Sequence, residues 1–106
     1  MLDEDRIALL AKALSHPARI RIVRTLTAQA ECSGAEVFSA LPLAQSTISE
    51  HLRVLKDAGL VHARPVGTSM AYCVCAETLR EFSSAIDEMA VAVPSCPPAE
   101  KIGAHS

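Results

Sequence analysis

Apolar residues recur at helical spacing along most of this chain, and one pair of β-like runs interrupts them. The sharpest helical pattern covers residues 45–58, where Ile48, Leu52 and Leu55 lie at i, i+4 and i+7. Gly59 follows directly, at the position where a left-handed cap ends many helices. Weaker versions of the pattern predict further helices, over residues 3–14, 17–26, 34–41 and 78–89.

The β-like runs predict a hairpin. They cover residues 60–66 and 70–75, on either side of Gly67, Thr68 and Ser69. A helix, a short turn and a second helix followed at once by a hairpin is the order of a winged helix-turn-helix. The expected fold is therefore mainly α with a small β-hairpin, with about five helices and a two- or three-stranded wing sheet.

Two details refine this expectation. Thr78 and Glu81 have the spacing of a capping box, which would start the last helix at that point. From Pro94 onward, proline is frequent and apolar residues are sparse, a composition typical of disordered segments. We therefore expect one DNA-binding and dimerisation domain over residues 1–93 and a flexible tail over residues 94–106.

Composition restricts the class of protein. The chain has 106 residues, half of them hydrophobic, and no stretch approaches the roughly 20 apolar residues that span a bilayer. The first residues are charged and lack a signal-peptide pattern. We expect a cytoplasmic protein with no membrane partner, in a compartment that keeps its four cysteines reduced. No phosphate loop or paired acid–base set indicates an enzyme.

Charge is unevenly distributed. The whole chain carries a net charge of −2, but residues 16–65 hold six basic side chains against four acidic ones, a balance of +2. A basic middle between acidic ends is compatible with a surface that faces DNA.

The predicted helix over residues 45–58 has a polar face of mostly uncharged side chains. Amides, hydroxyls and guanidinium groups read base edges in the major groove, which admits one α-helix. An ordinary solvated helix shows a polar face too, so this helix alone leaves both interpretations open. The side chains with base-reading chemistry are Gln45, Ser46, Thr47, Ser49 and Arg53.

Two segments resemble the ArsR/SmtB family of bacterial repressors. Residues 13–26 read A-L-S-H-P-A-R-I-R-I-V-R-T-L, and residues 41–61 read L-P-L-A-Q-S-T-I-S-E-H-L-R-V-L-K-D-A-G-L-V. The resemblance implies a homodimer that is held together by its first and last helices and binds double-stranded operator DNA. It also implies release when a metal, a metalloid or a thiol-reactive signal binds.

The resemblance also assigns roles to individual residues. It places Gln45, Ser46, Thr47 and Ser49 against bases, with His51 and Arg53 near the DNA backbone. Ala44 departs from the family, since many relatives have a helix-capping serine there. The wing tip lacks the arginine that is common in relatives, so wing contacts with phosphate are expected to fall to Arg64.

The cysteines are the candidate sensor. Cys73 and Cys75 are predicted on one strand, facing the same side but too far apart for a relaxed disulfide. If the segment before the third helix pairs with this strand, Cys32 joins them in a three-thiolate site suited to an arsenite-like metalloid or soft metal. No permanently bound cofactor is expected.

Three alternatives stay open. The cysteines are also good core packing residues, because a buried thiol behaves as a small hydrophobic group. Persulfide-sensing relatives pair a thiol at the position of Cys32 with one late in the last helix, which suggests a redox pair of Cys32 with Cys96. A winged helix that binds proteins and has no DNA role is the alternative from another class.

Overall fold

The computed structural model describes residues 2–28, 38–39 and 41–94. This part of the chain holds four helices and one two-stranded sheet, which agrees with a winged helix-turn-helix of about five helices. The predicted helix over residues 34–41 lies mostly outside the described residues, as do the predicted tail and any third wing strand. In chain order the elements are α1 (Glu4–Ala13), α2 (Pro17–Thr27), α3 (Gln45–Asp57), β1 (Val61–Val66), β2 (Ser69–Val74) and α4 (Ala76–Ala92).

The first two helices begin as their sequences require. Asp3 caps α1, because its Oδ1 accepts a hydrogen bond of 2.8 Å from the backbone N–H of Arg6. Pro17 occupies the first turn of α2, where a missing N–H costs nothing. His16 caps that helix, and its Nδ1 accepts a bond of 3.1 Å from the backbone N–H of Ala18.

The two ends of α3 differ in how they are capped. Ala44 is the N-cap and offers no side-chain hydrogen bond, as its departure from the family pattern predicts. At the other end Gly59 adopts φ 86, and only glycine enters this left-handed region without a steric penalty. The sharp stop at Gly59 allows the chain to enter β1 two residues later.

The hairpin is antiparallel and places Val61 opposite Val74 and Val66 opposite Ser69. Its turn contains Gly67 at φ 63, and no other residue in the described hairpin has a positive φ. This matches a type II′ turn, which carries glycine at its first central position.

The junction between β2 and α4 corrects two predictions. The strand ends at Val74, and Cys75 is the N-cap of a helix that starts at Ala76. The predicted capping box at Thr78 is therefore wrong. The first turn is already closed by the backbone bond of 3.2 Å from the N–H of Leu79 to the carbonyl of Cys75, which places Thr78 inside the helix.

The core lies where α2, α3 and the hairpin meet. α2 packs against α3 and β2, and α3 packs against β1. Ile20 of α2 is 42% exposed, because the buried row of this helix runs through Ile22, Val23 and Leu26. The largest fully buried side chains are Leu10, Ile22, Ile48, Leu52, Leu55, Leu60 and Val61.

Replacing Leu52 by alanine tests this core. Leu52 is 2% exposed, so Leu52→Ala should lower the free energy of unfolding by about 2–5 kcal/mol, through lost burial and a cavity. Urea denaturation measures the change. Leu43→Ala is the control, because Leu43 is 39% exposed and should lose far less. Equal losses for the two variants would contradict the packing described above.

Candidate DNA interface and wing cysteines

The candidate base-reading residues lie in the first turns of α3. The core side of α3 is formed by Ile48, Leu52 and Leu55. Because successive residues are about 100° apart around the helix axis, the residues between them point to other sides. All four predicted base-reading residues are exposed, so they are available to a groove: Gln45, Ser46, Thr47 and Ser49.

Arg53 is held by two carboxylates on the same helix. Its Nε and Nη2 donate to the two carboxylate oxygens of Glu50, with 3.2 Å for the Nε bond to Oε1, and its Nη1 donates to Oδ2 of Asp57 at 2.9 Å. The hydrogen bond from Arg53 lowers the pKa of Glu50, and the same contact raises the pKa of Arg53. Arg53 is therefore already ion-paired in the absence of DNA.

Glu50 was not among the sequence-predicted site residues. It lies near the middle of the outward face of α3, almost opposite the core side, together with Ser46, Arg53 and Asp57. The signal that points to it is the spacing from Glu50 to Arg53 and on to Asp57, which is i, i+3 and i+7.

His51 lies in a different environment from the rest of this face. The Nη1 of Arg19 is 3.2 Å from the Nδ1 of His51, and the rings of His16 and His51 are 4.5 Å apart between centroids. A guanidinium only donates, so Nδ1 accepts and His51 is neutral in this contact. Burial, followed by the electrostatic influence of His16 and Arg19 beside the ring, lowers the pKa of His51. The structure thus places His51 against the junction of α1 and α2; its predicted role near the DNA backbone remains a prediction.

The wing carries little positive charge. Arg64 is exposed on β1, opposite Ala71 on β2, and is the only arginine or lysine in the hairpin sequence. Beyond it the hairpin exposes two large apolar side chains, Val66 at 53% and Met70 at 44%. A contact between an arginine or lysine of this hairpin and a phosphate therefore depends on Arg64.

Cys73 and Cys75 are in different chemical states. Cys73 lies on β2 opposite His62 and is disulfide-bonded, while Cys75 is a free thiol. Cys32 and Cys96, the other two cysteines of the sequence, lie outside the described residues. The three-thiolate site and the Cys32–Cys96 pair therefore remain predictions. Among the residues that the structure describes, no group of three or more His, Cys, Asp and Glu is arranged to hold a metal ion.

The thiol of Cys75 is activated by its position. Thr78 Oγ1 donates a hydrogen bond of 3.2 Å to Cys75 Sγ. This bond is the main cause that lowers the pKa of Cys75, and the backbone N–H groups of Thr78 and Glu77 contribute to the shift. Thiolates are favoured at helix N-termini, and the thiolate is both the nucleophile and the metal ligand.

Comparison with known proteins identifies the family. A helix-turn-helix domain family matches residues 14–64. An HTH-type transcriptional regulator from Methanocaldococcus jannaschii is 32% identical over 85 residues, which cover 80% of this chain and 96% of that protein. A possible transcriptional regulator for arsenical resistance has a solved structure that is 31% identical, with a TM-score of 0.65 over 76% of this chain and 82% of that one. The chain belongs to the ArsR/SmtB family.

Other members of the ArsR/SmtB family add detail. A homodimeric winged helix-turn-helix domain of a possible ArsR-family regulator from Mycobacterium bovis is 26% identical, with a TM-score of 0.64 over 89% of this chain and 92% of that one. The transcriptional repressor SmtB from Mycobacterium tuberculosis is 37% identical over 68 residues, which cover 64% of this chain but only 50% of that protein. The predicted family and fold are confirmed, and the relatives are transcriptional regulators and not enzymes. Within the described residues, no helix has the length and apolar character needed to cross a membrane.

His51 should make stability depend on pH. The folded protein holds its pKa below the ordinary value of 6.5, so the unfolded chain binds the proton more readily. The stabilising contact with Arg19 is fully present above about pH 6.5 and should be lost as the pH falls through the lowered pKa. Urea denaturation between pH 7.5 and 5 measures the trend. His51→Gln should flatten it, while the exposed His62→Gln should leave it unchanged; equal slopes for both variants would contradict this assignment.

Thr78 should control the acidity of Cys75. Thr78→Val keeps the shape of the side chain but removes the hydroxyl donor, so the pKa of Cys75 should rise. The pH dependence of alkylation by iodoacetamide reports this pKa in a chain whose other three cysteines are serine. Ser83→Ala, an exposed hydroxyl removed from α4, is the control and should not change the profile. An unchanged profile in Thr78→Val would exclude the hydroxyl as the cause.

Proposed function

We propose that this chain is a dimeric transcriptional repressor that leaves its operator when a thiophilic metalloid or soft metal binds cysteine thiolates, with an arsenite-like species as the favoured ligand. The observation that carries the proposal is the activated thiol of Cys75, two residues from Cys73, at the junction between the wing and α4. Membership of the ArsR/SmtB family and similarity to a possible arsenical-resistance regulator support it.

Operator binding is proposed through α3. Its first turns expose amide and hydroxyl groups, and its core side anchors it against β1 and α2. Arg64 on the wing would supply a phosphate contact. Because the hairpin carries one arginine and no lysine, few counterions would be released there, and the wing would contribute little to the salt dependence of affinity.

Dimerisation is proposed through α1 and α4. These two helices contact each other within the chain, and they leave apolar side chains exposed. A second copy would cover this surface, and the similar winged helix-turn-helix domain from Mycobacterium bovis is itself homodimeric. The exposed residues are Leu9 at 46%, Ile86 at 43%, Met89 at 54% and Val91 at 75%.

Cys73 and Cys75 lie between the wing, which is proposed to contact DNA, and α4, which is proposed to form the dimer. Cys73 is part of β2, and Cys75 is the N-cap of α4, so once the disulfide of Cys73 is reduced, a ligand held by both thiolates would connect the wing to the proposed dimer helix. Binding that favours one arrangement of these elements would shift the population of dimer geometries away from the spacing of operator half-sites. Coupling of this kind changes affinity by about 5- to 150-fold.

A thiol-redox or persulfide response is the second candidate function. The disulfide-bonded state of Cys73 favours it, since reduction by two electrons would release two thiols from that bond. Under this alternative, oxidant or polysulfide and not a metalloid would change the affinity for DNA.

Ligand-induced release from DNA separates these functions. A duplex enriched from a random-sequence library serves as the probe, and its fluorescence anisotropy with reduced protein is followed during titration with arsenite, antimonite, mercury, cadmium and zinc. At least one thiophilic ligand should weaken binding by about 5-fold or more. Cys73→Ser and Cys75→Ser should keep DNA binding but lose this response, as should Cys32→Ser if it completes the site.

The remaining outcomes distinguish the alternatives. Cys96→Ser is the matched control, because it should alter only a response to oxidant or polysulfide. If no metal or metalloid releases the reduced protein, the metalloid proposal is wrong. Failure of the protein to enrich any duplex would favour the protein-interaction module.

A further inference from the structure

Glu50 occupies an unusual position for a carboxylate on a helix that approaches DNA. It is the only acidic residue in the first two turns of α3, and it lies one turn after Ser46 on the outward face. Its side chain is 58% exposed, and that of its partner Arg53 is 56% exposed. A groove that receives Ser46 and Ser49 would therefore receive Glu50 as well.

The chemistry of an ionised carboxylate is selective in the major groove. It only accepts hydrogen bonds, and the contact with Arg53 lowers its pKa, so it stays ionised at neutral pH. Cytosine presents the N4 amino donor that glutamate and aspartate read, whereas guanine O6 and N7 and thymine O4 are acceptors that would repel it. A carboxylate at this point thus favours cytosine and disfavours guanine and thymine, while adenine offers its N6 amino donor only beside the acceptor N7.

Arg53 joins Glu50 and Asp57 in one cluster of three charged side chains. Glu50 holds its Nε and Nη2, and Asp57 holds its Nη1, so three of the five N–H donors are used and two remain. The guanidinium is oriented before DNA arrives. The three side chains together carry one net negative charge, which weakens non-specific attraction to phosphates. The cluster therefore favours discrimination between DNA sequences and lowers the non-specific affinity for DNA.

We propose that Glu50 is a specificity-determining residue, whose carboxylate accepts a hydrogen bond from the N4 amino group of a cytosine in the operator and orients Arg53 beside it. This inference rests on the proposed binding of DNA by α3. It assigns no role to the cysteines, so it is independent of the inducer.

Selection from a random duplex library tests the proposal. Wild-type protein and Glu50→Gln are each used to enrich duplexes with 20 random base pairs, and the products are sequenced. Wild-type selections should contain a cytosine position that Glu50→Gln selections lose. When that C·G pair is replaced by T·A in the enriched duplex, wild-type affinity should fall about tenfold and the affinity of the variant by less than about twofold.

Two controls separate base reading from charge. Glu81→Gln removes the same charge from the exposed surface of α4 and should leave the selected sequence unchanged. Asp57→Asn frees only the Nη1 contact of Arg53, so the cytosine preference should persist. Glu50→Gln should also bind a scrambled duplex more tightly than wild type, and more so than Glu81→Gln does.

The outcomes are distinct. If Glu50→Gln selects the same sequences as wild type, or if Glu81→Gln alters the selection equally, the assignment of Glu50 is overturned. If wild-type protein enriches no sequence at all, the proposed operator binding fails and the inference fails with it. Circular dichroism of each variant confirms that the exposed substitutions leave the fold intact.

Discussion

The guanidinium of Arg19 connects three helices of this fold. Its Nε donates to the carbonyl of Ala13 at 2.7 Å and its Nη2 donates to that of Lys12 at 3.4 Å, so it binds the carbonyl groups at the C-terminal end of α1. Its Nη1 lies 3.2 Å from His51 on α3. One charged group thus holds α3, the proposed DNA-binding helix, against the junction of the two helices that precede it.

The contact between Arg19 and His51 explains why α3 is held in place although its N-terminus lacks a side-chain cap. Ala44 provides no capping hydrogen bond, so the helix depends on tertiary contacts for its position. Leu52 and Leu55 bury its inner side, and His51 contacts Arg19 one position before Leu52. A helix anchored on its inner and lateral sides can leave its outer face polar, because that face contributes little to stability.

Much of the fold could be predicted from the sequence. The spacing of Ile48, Leu52 and Leu55 located α3, and Gly59 and Gly67 marked its end and the hairpin turn, because local backbone preferences dominate at these points. The start of α4 could not be predicted in the same way. The motif at Thr78 and Glu81 was a valid local signal, but the backbone bond of 2.8 Å from Cys75 N–H to the Leu60 carbonyl holds the chain beside β1 as far as Cys75, and the helix begins at the next residue.

The candidate site was predictable in its residue types but not in its contacts. The sequence by itself determined the polar first turns of α3, the hairpin with its glycine turn and the presence of two cysteines near its end, since these follow from residue type and spacing along one element. Only the tertiary structure decided that His51 meets Arg19 and His16, which come from a distant part of the chain. It also decided that Cys75 is the N-cap of α4. Rotamers and packing between elements set these contacts, and neither can be read from a one-dimensional pattern.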